Sequence, residues 1–510
     1  MPHYNSLKIV VAAATTVFAQ DFPAVNSSVS GNVVSIPSNY TYLLPEGFQG
    51  LSTEGFVETN VTNSSVQAVF EKARVAPFVA YDAEFENLVG TNASVRLVAE
   101  SESEFAREAG LWVPKRNEVW MSSSVTIPPA YISVLNLETL EITRPTYTSS
   151  IVQPNGAYQY NSTIYYTSLG NSSLPYKAGI EVIDPETNTT TPYVNSYFGL
   201  HLNGVDDLTW ASNQNPKTNT TQSYLFFTDV YFGNLEHDVP TAPPQLDNAV
   251  YRLDPQTQTI RPVISRTDVA IPNGIRVSPD SKKLYVSDSG SVALSGGGSS
   301  NFSAPAIYSY DLDHDMMPVN RTLFGLARDG LPDGMHVDDK GRVWTGEGEG
   351  IVVRNKEGKV IGIFNALYFQ EGMSGTPITN FALAGNKLVV LAITRVWIVQ
   401  LDEVVQTASK ILSSDPIIVT IQERNFDYSD LEYEAVSHCR GGIDRDHQGL
   451  CDGTVIDATE HLVAALRRFC HPTLEESIGL GPPHMESGDH IYVLLGAEEP
   501  TILRKEDGDE

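Results

Sequence analysis

One repeated unit limits what this chain can fold into more than any other feature. It is clearest twice between Ile271 and Gly350. The first copy reads Pro272-Asn273-Gly274-Ile275-Arg276-Val277, a turn at Ser278-Pro279-Asp280, then Lys283-Leu284-Tyr285-Val286-Ser287-Asp288. The second reads Pro332-Asp333-Gly334-Met335-His336-Val337, a turn at Asp338-Asp339-Lys340-Gly341, then Arg342-Val343-Trp344-Thr345-Gly346. Alternating apolar and polar residues predict strands, and the Pro, Asp, Gly and Lys clusters between them predict turns. Each first strand opens on an oxygen-bearing Asn or Asp followed by Gly.

Four more copies are degenerate versions of the same unit. Glu108-Ala109-Gly110-Leu111-Trp112-Val113 leads to Glu118-Val119-Trp120-Met121-Ser122, and Asn155-Gly156-Ala157-Tyr158 leads to Thr163-Ile164-Tyr165-Tyr166-Thr167. Asp206-Asp207-Leu208-Thr209-Trp210 leads, across a polar insertion at 211–222, to Tyr224-Leu225-Phe226-Phe227-Thr228-Asp229. Asn380-Phe381-Ala382-Leu383 leads to Leu388-Val389-Val390-Leu391-Ala392-Ile393. A third strand follows most copies, at 132–135, 180–184, 249–254, 307–311 and 396–402, and an outer strand fits at 259–263.

A four-stranded unit of about forty to sixty residues, present six times, is the pattern of a β-propeller blade. The expected fold is all-β: a six-bladed β-propeller over residues 66–402 with a short mixed α/β C-terminal tail at 403–510. A pair of β-sandwiches would explain the strands but not their recurring opening. An open propeller leaves an unpaired edge, so Phe78-Val79-Ala80-Tyr81 is expected to complete the last blade and close the ring.

In a propeller the first strand of each blade lines the central tunnel, so the residues opening those strands gather at one mouth. They are Glu108, Asn155, Asp206, Asn273, Asp333 and Asn380, and each carries a side-chain oxygen. One Asn-Gly alone is ordinary turn chemistry. Six such positions in phase predict a site for Ca²⁺, which takes roughly six to eight oxygen ligands including water. Another divalent cation would fit the same donors.

The formal net charge of −29 disfavours nucleic acid or an anionic membrane surface as partner. Lys8 and the apolar run Ile9-Val10-Val11-Ala12-Ala13-Ala14, continuing to Ala19, predict a signal peptide over residues 1–19. Asn-x-Ser/Thr acceptors begin at Asn26, Asn39, Asn60, Asn63, Asn92, Asn161, Asn171, Asn188, Asn219, Asn301 and Asn320, with none further on. The expectation is a secreted, extracellular glycoprotein with a glycosylated lead-in at 20–65. The cysteines, Cys439, Cys451 and Cys470, all lie in the tail. The propeller must therefore be held by its apolar core rather than by disulfides.

The two Pro-Asx-Gly units resemble the gluconolactonase/regucalcin family of calcium-dependent six-bladed propellers. Leu202-Asn203-Gly204-Val205-Asp206-Asp207 and Phe226-Phe227-Thr228-Asp229-Val230-Tyr231-Phe232-Gly233 resemble two further stretches of that family. Phe105-Ala106-Arg107-Glu108-Ala109-Gly110-Leu111-Trp112 resembles its opening motif, above all in secreted fungal lactonohydrolases. The resemblance implies metal ligands at Glu108, Asn273 and Asp333. The family's further Asn falls on Asp206, an extra carboxylate that would either tighten Ca²⁺ or hold a proton and act as acid or base. The implied reaction is hydrolysis of a small-molecule lactone, with Asp333 as first and Asp206 as second candidate base. His201, Asn203 and Asp207 are the candidate substrate contacts, and loops 211–222 and 289–304 over the mouth are expected to set the lactone's ring size and handedness. His336 shares the repeat position of Arg276 and is expected to pack or face solvent. No Gly-x-Ser-x-Gly elbow is present. A non-catalytic propeller binding a sugar-like ligand, and an esterase or phosphotriesterase on the same metal site, are the alternative readings.

The pattern stops at Asp402, and 404–412 reads as a short helix. Tyr433-Glu434-Ala435-Val436-Ser437-His438-Cys439-Arg440-Gly441, the helix expected over 456–468 and Gly488-Asp489-His490-Ile491-Tyr492-Val493-Leu494-Leu495-Gly496 resemble fragments of fungal heterokaryon-incompatibility domains. That resemblance implies a remnant or fusion.

Overall fold

In the computed structural model the described residues are 28–30, 33–49, 60–125, 129–171, 177–215, 220–231, 243–290, 305–371 and 377–406, with four short strands between 417 and 457. Residues 1–409 form one compact unit and 410–510 another.

Every copy of the repeat folds into one antiparallel sheet, inner strand first, and the six sheets form a six-bladed β-propeller. Blade one holds Glu108–Val113, Glu118–Ser122, Ile132–Asn136 and Ile142–Thr143; blade two holds Pro154–Tyr160, Thr163–Ser168, Gly179–Asp184 and Thr189–Val194. Blade three holds Val205–Asn215, Thr220–Asp229, Ala249–Asp254 and Thr259–Ser265; blade four holds Pro272–Val277, Lys283–Asp288, Ala306–Leu312 and Pro318–Leu326. Blade five runs Met335–Val337, Val343–Glu347, Gly350–Arg354 and Val360–Asn365. Blade six contains Asn380–Ala392 and Arg395–Gln406.

The apolar core lies between blades rather than at one centre. Leu111, Trp120 and Val134 of blade one pack with Ala157, Ile164 and Ile183 of blade two. Phe226 and Val250 of blade three pack with Ile275 and Val286 of blade four. A sheet covered on both faces buries consecutive residues, and all six residues of Pro272–Val277 are buried. This explains how the unit forms a core without disulfides.

Ring closure differs from the expectation. Phe78–Ala80 does not complete the last blade; it pairs with Val360–Asn365 at the outer edge of blade five. Val33–Ser35, in the expected lead-in, then adds in parallel to Phe78–Ala80. The strand that completes blade six is Ser94–Glu100, paired with Arg395–Gln406 and edged by Ser28–Ser30. At the mouth, Ala106 and Ile393 exchange both backbone hydrogen bonds, at 3.0 and 2.9 Å. Helix Ala83–Val89, capped by Asp82, separates the two early strands and sends them to different blades.

Two further expectations are corrected. Val404 and Val405 continue the strand Arg395–Gln406, with Val405 opposite Gly385, in place of the helix expected at 404–412; residues 407–412 lie outside the described residues. The described part of the polar insertion, 211–215 and 220–222, does not overhang the mouth. Its ladder runs from Val205↔Asp229 to Asn215↔Thr220, so it extends the hairpin away from Asp206 by about 30 Å at about 3.3 Å per residue. The loop at 289–304 follows Asp288, which pairs with Pro272 at the mouth end; residues 291–304 lie outside the described residues.

In the second unit His438–Arg440, Ile417–Thr420, Gln448–Cys451 and Thr454–Asp457 form one sheet in that order. Ile456 and Asp457 are therefore strand residues, not the start of the expected helix. Residues 433–437, 458–468 and 488–496 lie outside the described residues, as does the expected signal peptide. Among the described residues no helix is long and apolar enough to cross a membrane.

Candidate active site at the tunnel mouth

In blades one to four the inner strand begins with a bulge; Asn155, Asp206 and Asn273 sit in three of them and Glu108 just before the fourth. In blade three the ladder steps from Val205↔Asp229 to Leu208↔Phe227, so Asp206 and Asp207 together face Thr228. In blade four Asn273 and Gly274 face Ser287, and in blade two Asn155 and Gly156 face Thr167. In blade one Ala109 and Gly110 face Met121, just after Glu108. A bulge re-aims the side chain it carries and recurs beside active sites. Buried Ala109 sits at φ 74°, a left-handed backbone that costs a non-glycine residue about 1–2 kcal/mol.

A hydroxyl opposite or beside each bulge reaches into the next blade. Thr167 Oγ1 donates to the backbone oxygen of Asp206 at 2.8 Å, Thr228 Oγ1 to that of Asn273 at 2.9 Å, and Ser287 Oγ to that of Asp333 at 3.2 Å. In blade one Ser122 Oγ donates to the backbone oxygen of Asn155 at 2.7 Å. Four candidate positions are thus pinned by the preceding blade. Glycine is needed where these backbones meet: a Cβ on Gly274 would sit 2.4 Å from Asp333 O. Sequence reasoning passed over Ser122, Thr167, Thr228 and Ser287, although a hydroxyl recurs near the end of each second strand.

The charges converge. Glu108 is held well above the usual carboxylate range, first by burial, then by the negative charges of Asp333 and Asp206, with Arg107 opposing. Carboxyls from blades one, three and five therefore share one electrostatic environment. Glu108 Oε2 accepts from Asn380 Nδ2 at 3.2 Å, while Asn380 Oδ1 accepts from the backbone N–H of Phe381. Both ends of Asn380 are occupied, so it positions Glu108 rather than joining the donors. Asn273 Nδ2 donates to Ser289 Oγ at 2.9 Å, which turns the amide oxygen the other way. Asn155 Nδ2 donates to Asp206 Oδ1.

Among the described residues no three His, Cys, Asp or Glu side chains are grouped to hold a metal ion by themselves. A cation at this mouth would need amide oxygens as well, and Asn273 and Asn155 carry such oxygens. Asn155 Oδ1 is buried with no hydrogen-bond partner. Clustered carboxyls together with amide oxygens are hard donors, which fit a divalent cation such as Ca²⁺ and not a soft metal.

The expected substrate contacts fare unevenly. Asp207 is not presented to the mouth. It is 5 % exposed, its Oδ2 lies 2.6 Å from Arg276 Nη1 and 3.2 Å from the backbone N–H of Ile275, and its Oδ1 accepts from Leu208 N–H. Asp206 meets Asn155 of blade two while Asp207 meets Arg276 of blade four, the alternation of successive strand residues. Asn203 is buried at the mouth end, with Nδ2 donating to Leu246 O at 2.9 Å and Oδ1 without a partner. His201 is half-buried at the base of the hairpin Ser196–Tyr197/Leu200–His201, and its Nδ1 lies 3.0 Å from Leu202 O. His336 packs, buried, edge-on against Phe381.

Six blades around an acidic, amide-rimmed mouth make this chain a six-bladed β-propeller, part of which is similar to gluconolactonase-like proteins. Residues 222–396 match the family model described as SMP-30/Gluconolactonase/LRE-like region. Lactonohydrolase oryL of Aspergillus oryzae is 27% identical over 326 residues, covering 58% of this chain and 69% of that protein. A gluconolactonase of Zymomonas mobilis is 30% identical over 224 residues, covering 41% of this chain and 54% of that protein. The solved structure of a gluconolactonase from Xanthomonas campestris superposes with a TM-score of 0.50 at 20% identity, covering 64% of this chain and 94% of that one, and shares the fold. The family model spans Asn273 and Asp333 but stops short of Glu108 and Asp206, which the fold itself brings to the same mouth.

Proposed function

We propose that this protein is a lactone hydrolase acting on a small sugar-type lactone at the tunnel mouth, with a divalent cation, Ca²⁺ by donor chemistry, as cofactor. One observation carries the reading: half-buried Glu108 feels Asp333 and Asp206 from two other blades. The names of the relatives support the substrate class.

Glu108, Asp206, Asn273 and Asp333 would hold the cation. When bound, it would supply Lewis-acid polarisation of the ester carbonyl and charge for the developing oxyanion. Asp333 is the base. Its carboxylate accepts a proton from water as the water oxygen bonds to the carbonyl carbon. The ring C–O bond then breaks, the proton passes to the departing ring oxygen, and a hydroxy acid leaves. Asp206, one of whose oxygens accepts the Asn155 amide, is the second candidate. Asn203 and His201, at the same end of blade three, line the approach.

Secretion belongs to the same reading. The acceptor residues Asn92, Asn161 and Asn320 are exposed, Asn161 at a turn and Asn320 in a strand, both with left-handed backbone.

An aldonolactone panel, assayed with and without exhaustive chelation, tests the proposal. Turnover should vanish on chelation and return with Ca²⁺, and Asp333→Asn should lower kcat about a hundredfold or more. Turnover that survives chelation removes the cation from the mechanism. Ca²⁺ binding with no turnover of lactones, simple esters or phosphotriesters leaves a ligand-binding propeller.

A further inference from the structure

We propose that Asn155 of blade two orients Asp206 for a bound divalent cation and adds its own amide oxygen to the donor set. This rests on the cation reading above and extends it to a blade that otherwise contributes no donor.

The backbone geometry comes first. Asn155 and Asp206 both lie in the bulges that open their strands, and both backbone oxygens are fixed, by Ser122 Oγ and Thr167 Oγ1. The two strands approach so closely that a Cβ on Gly156 would sit 2.5 Å from Asp206 O. The side chains are therefore carried by frames that cannot drift apart.

The side chains then select one arrangement. An ionised carboxylate only accepts hydrogen bonds, so the amide must present its NH₂ to it; the reversed amide would set oxygen against oxygen. The structure shows that pairing, Asn155 Nδ2 to Asp206 Oδ1. It leaves Asn155 Oδ1 buried and without a donor, in a residue 6 % exposed. Such an oxygen needs an explanation, and a cation is one that the neighbouring carboxyls also call for. A neutral donor also suits a mouth where Glu108, Asp206 and Asp333 already bring three carboxyls against Arg107. It adds coordination without adding negative charge.

The test is calorimetric titration of the chelator-stripped full-length protein with Ca²⁺ alone. Asn155→Ala should weaken Ca²⁺ binding about tenfold or more, the scale on which partners of metal-ligating side chains act. Its melting temperature in chelator should stay that of the wild type. The exchange Asn155→Asp with Asp206→Asn keeps one amide donating to one carboxylate and preserves the total charge. It should bind within about threefold of wild type, a rescue that a merely structural asparagine would not give. An Asn155→Ala protein binding within about twofold of wild type, or an exchange variant no tighter than Asn155→Ala, overturns the proposal and leaves the cation reading standing. If Asn155→Ala does not fold, the exchange variant decides by the same criterion. A wild-type protein that takes up no Ca²⁺ overturns both.

Discussion

Arg276 reaches from the inner strand of blade four to Asp207 in the inner strand of blade three, Nη1 to Oδ2 at 2.6 Å, with both side chains under a tenth exposed. The same Nη1 lies 3.0 Å from Leu208 O. An aspartate beside Asp206, a proposed cation ligand, thus joins two blades. Asp207→Ala would leave a buried guanidinium unpaired, which costs about 3–5 kcal/mol. Urea unfolding should show that loss. Asp207→Leu combined with Arg276→Met should recover most of it, since removing both charges leaves nothing unpaired. A single variant as stable as wild type would show that water already solvates the pair.

The hydroxyls facing the bulges give a second prediction. Thr228 Oγ1 holds the backbone oxygen of Asn273 and also accepts from Asp207 N–H at 3.0 Å. Thr228→Val keeps the shape and removes both bonds. Leaving buried backbone groups unpaired costs about 1–3 kcal/mol. Thr228→Ser should restore stability, and Ca²⁺ affinity should fall in the valine variant and return in the serine one. Equal affinity in all three would mean that these hydroxyls hold the blades but not the donors.

How much of the molecule is readable from its residues depends on distance along the chain. The blades are legible because each is a local hairpin whose alternation and turn chemistry lie within about fifty residues. The mouth is legible because phase in a repeat becomes position in a ring, so the sequence alone brings Glu108, Asp206 and Asp333 together. Ring closure is not legible. Phe78–Ala80 and Ser94–Glu100 are both short apolar strands, and only packing across hundreds of residues decides which edge each one meets. The fate of Asp207 is equally hidden. Adjacent aspartates alternate in direction, but only the fold shows that Asp206 meets Asn155 of blade two and Asp207 meets Arg276 of blade four.

Glu108 separates binding from stability. Its half-buried carboxyl lies near two others that oppose its charge, so metal-free protein gains nothing from ionising it. Glu108→Gln should leave the chelated protein at least as stable as wild type and abolish the rise in Tm on adding Ca²⁺. For wild type, ligand at a hundred times Kd stabilises by about 2.7 kcal/mol. Thermal melts with and without Ca²⁺ measure both quantities. A variant that melts lower in chelator, yet still responds to Ca²⁺, would remove Glu108 from the donor set.

Asp229 should give the fold a pH dependence of defined sign. It is fully buried: Oδ1 accepts from Asn203 N–H at 2.8 Å and Gly204 N–H at 3.0 Å, while Oδ2 has no partner. Its counterpart in blade four, Asp288, is better served, with Ile271 and Gly290 on Oδ1 and Ala270 on Oδ2. Burial pushes Asp229 up to about 7, against the pull of its two backbone donors. The unfolded chain releases this proton near pH 3.9. Between those values the folded state keeps a proton that the unfolded state has lost, so stability is full below about pH 4, falls as pH rises toward 7 and then levels. The contribution between pH 5 and pH 8 is roughly 3 kcal/mol. Asp229→Asn keeps an acceptor for the two N–H groups and removes the titration. Urea unfolding at both pH values should therefore show a steeper loss in wild type than in the variant. Parallel losses in the two proteins would place the proton elsewhere.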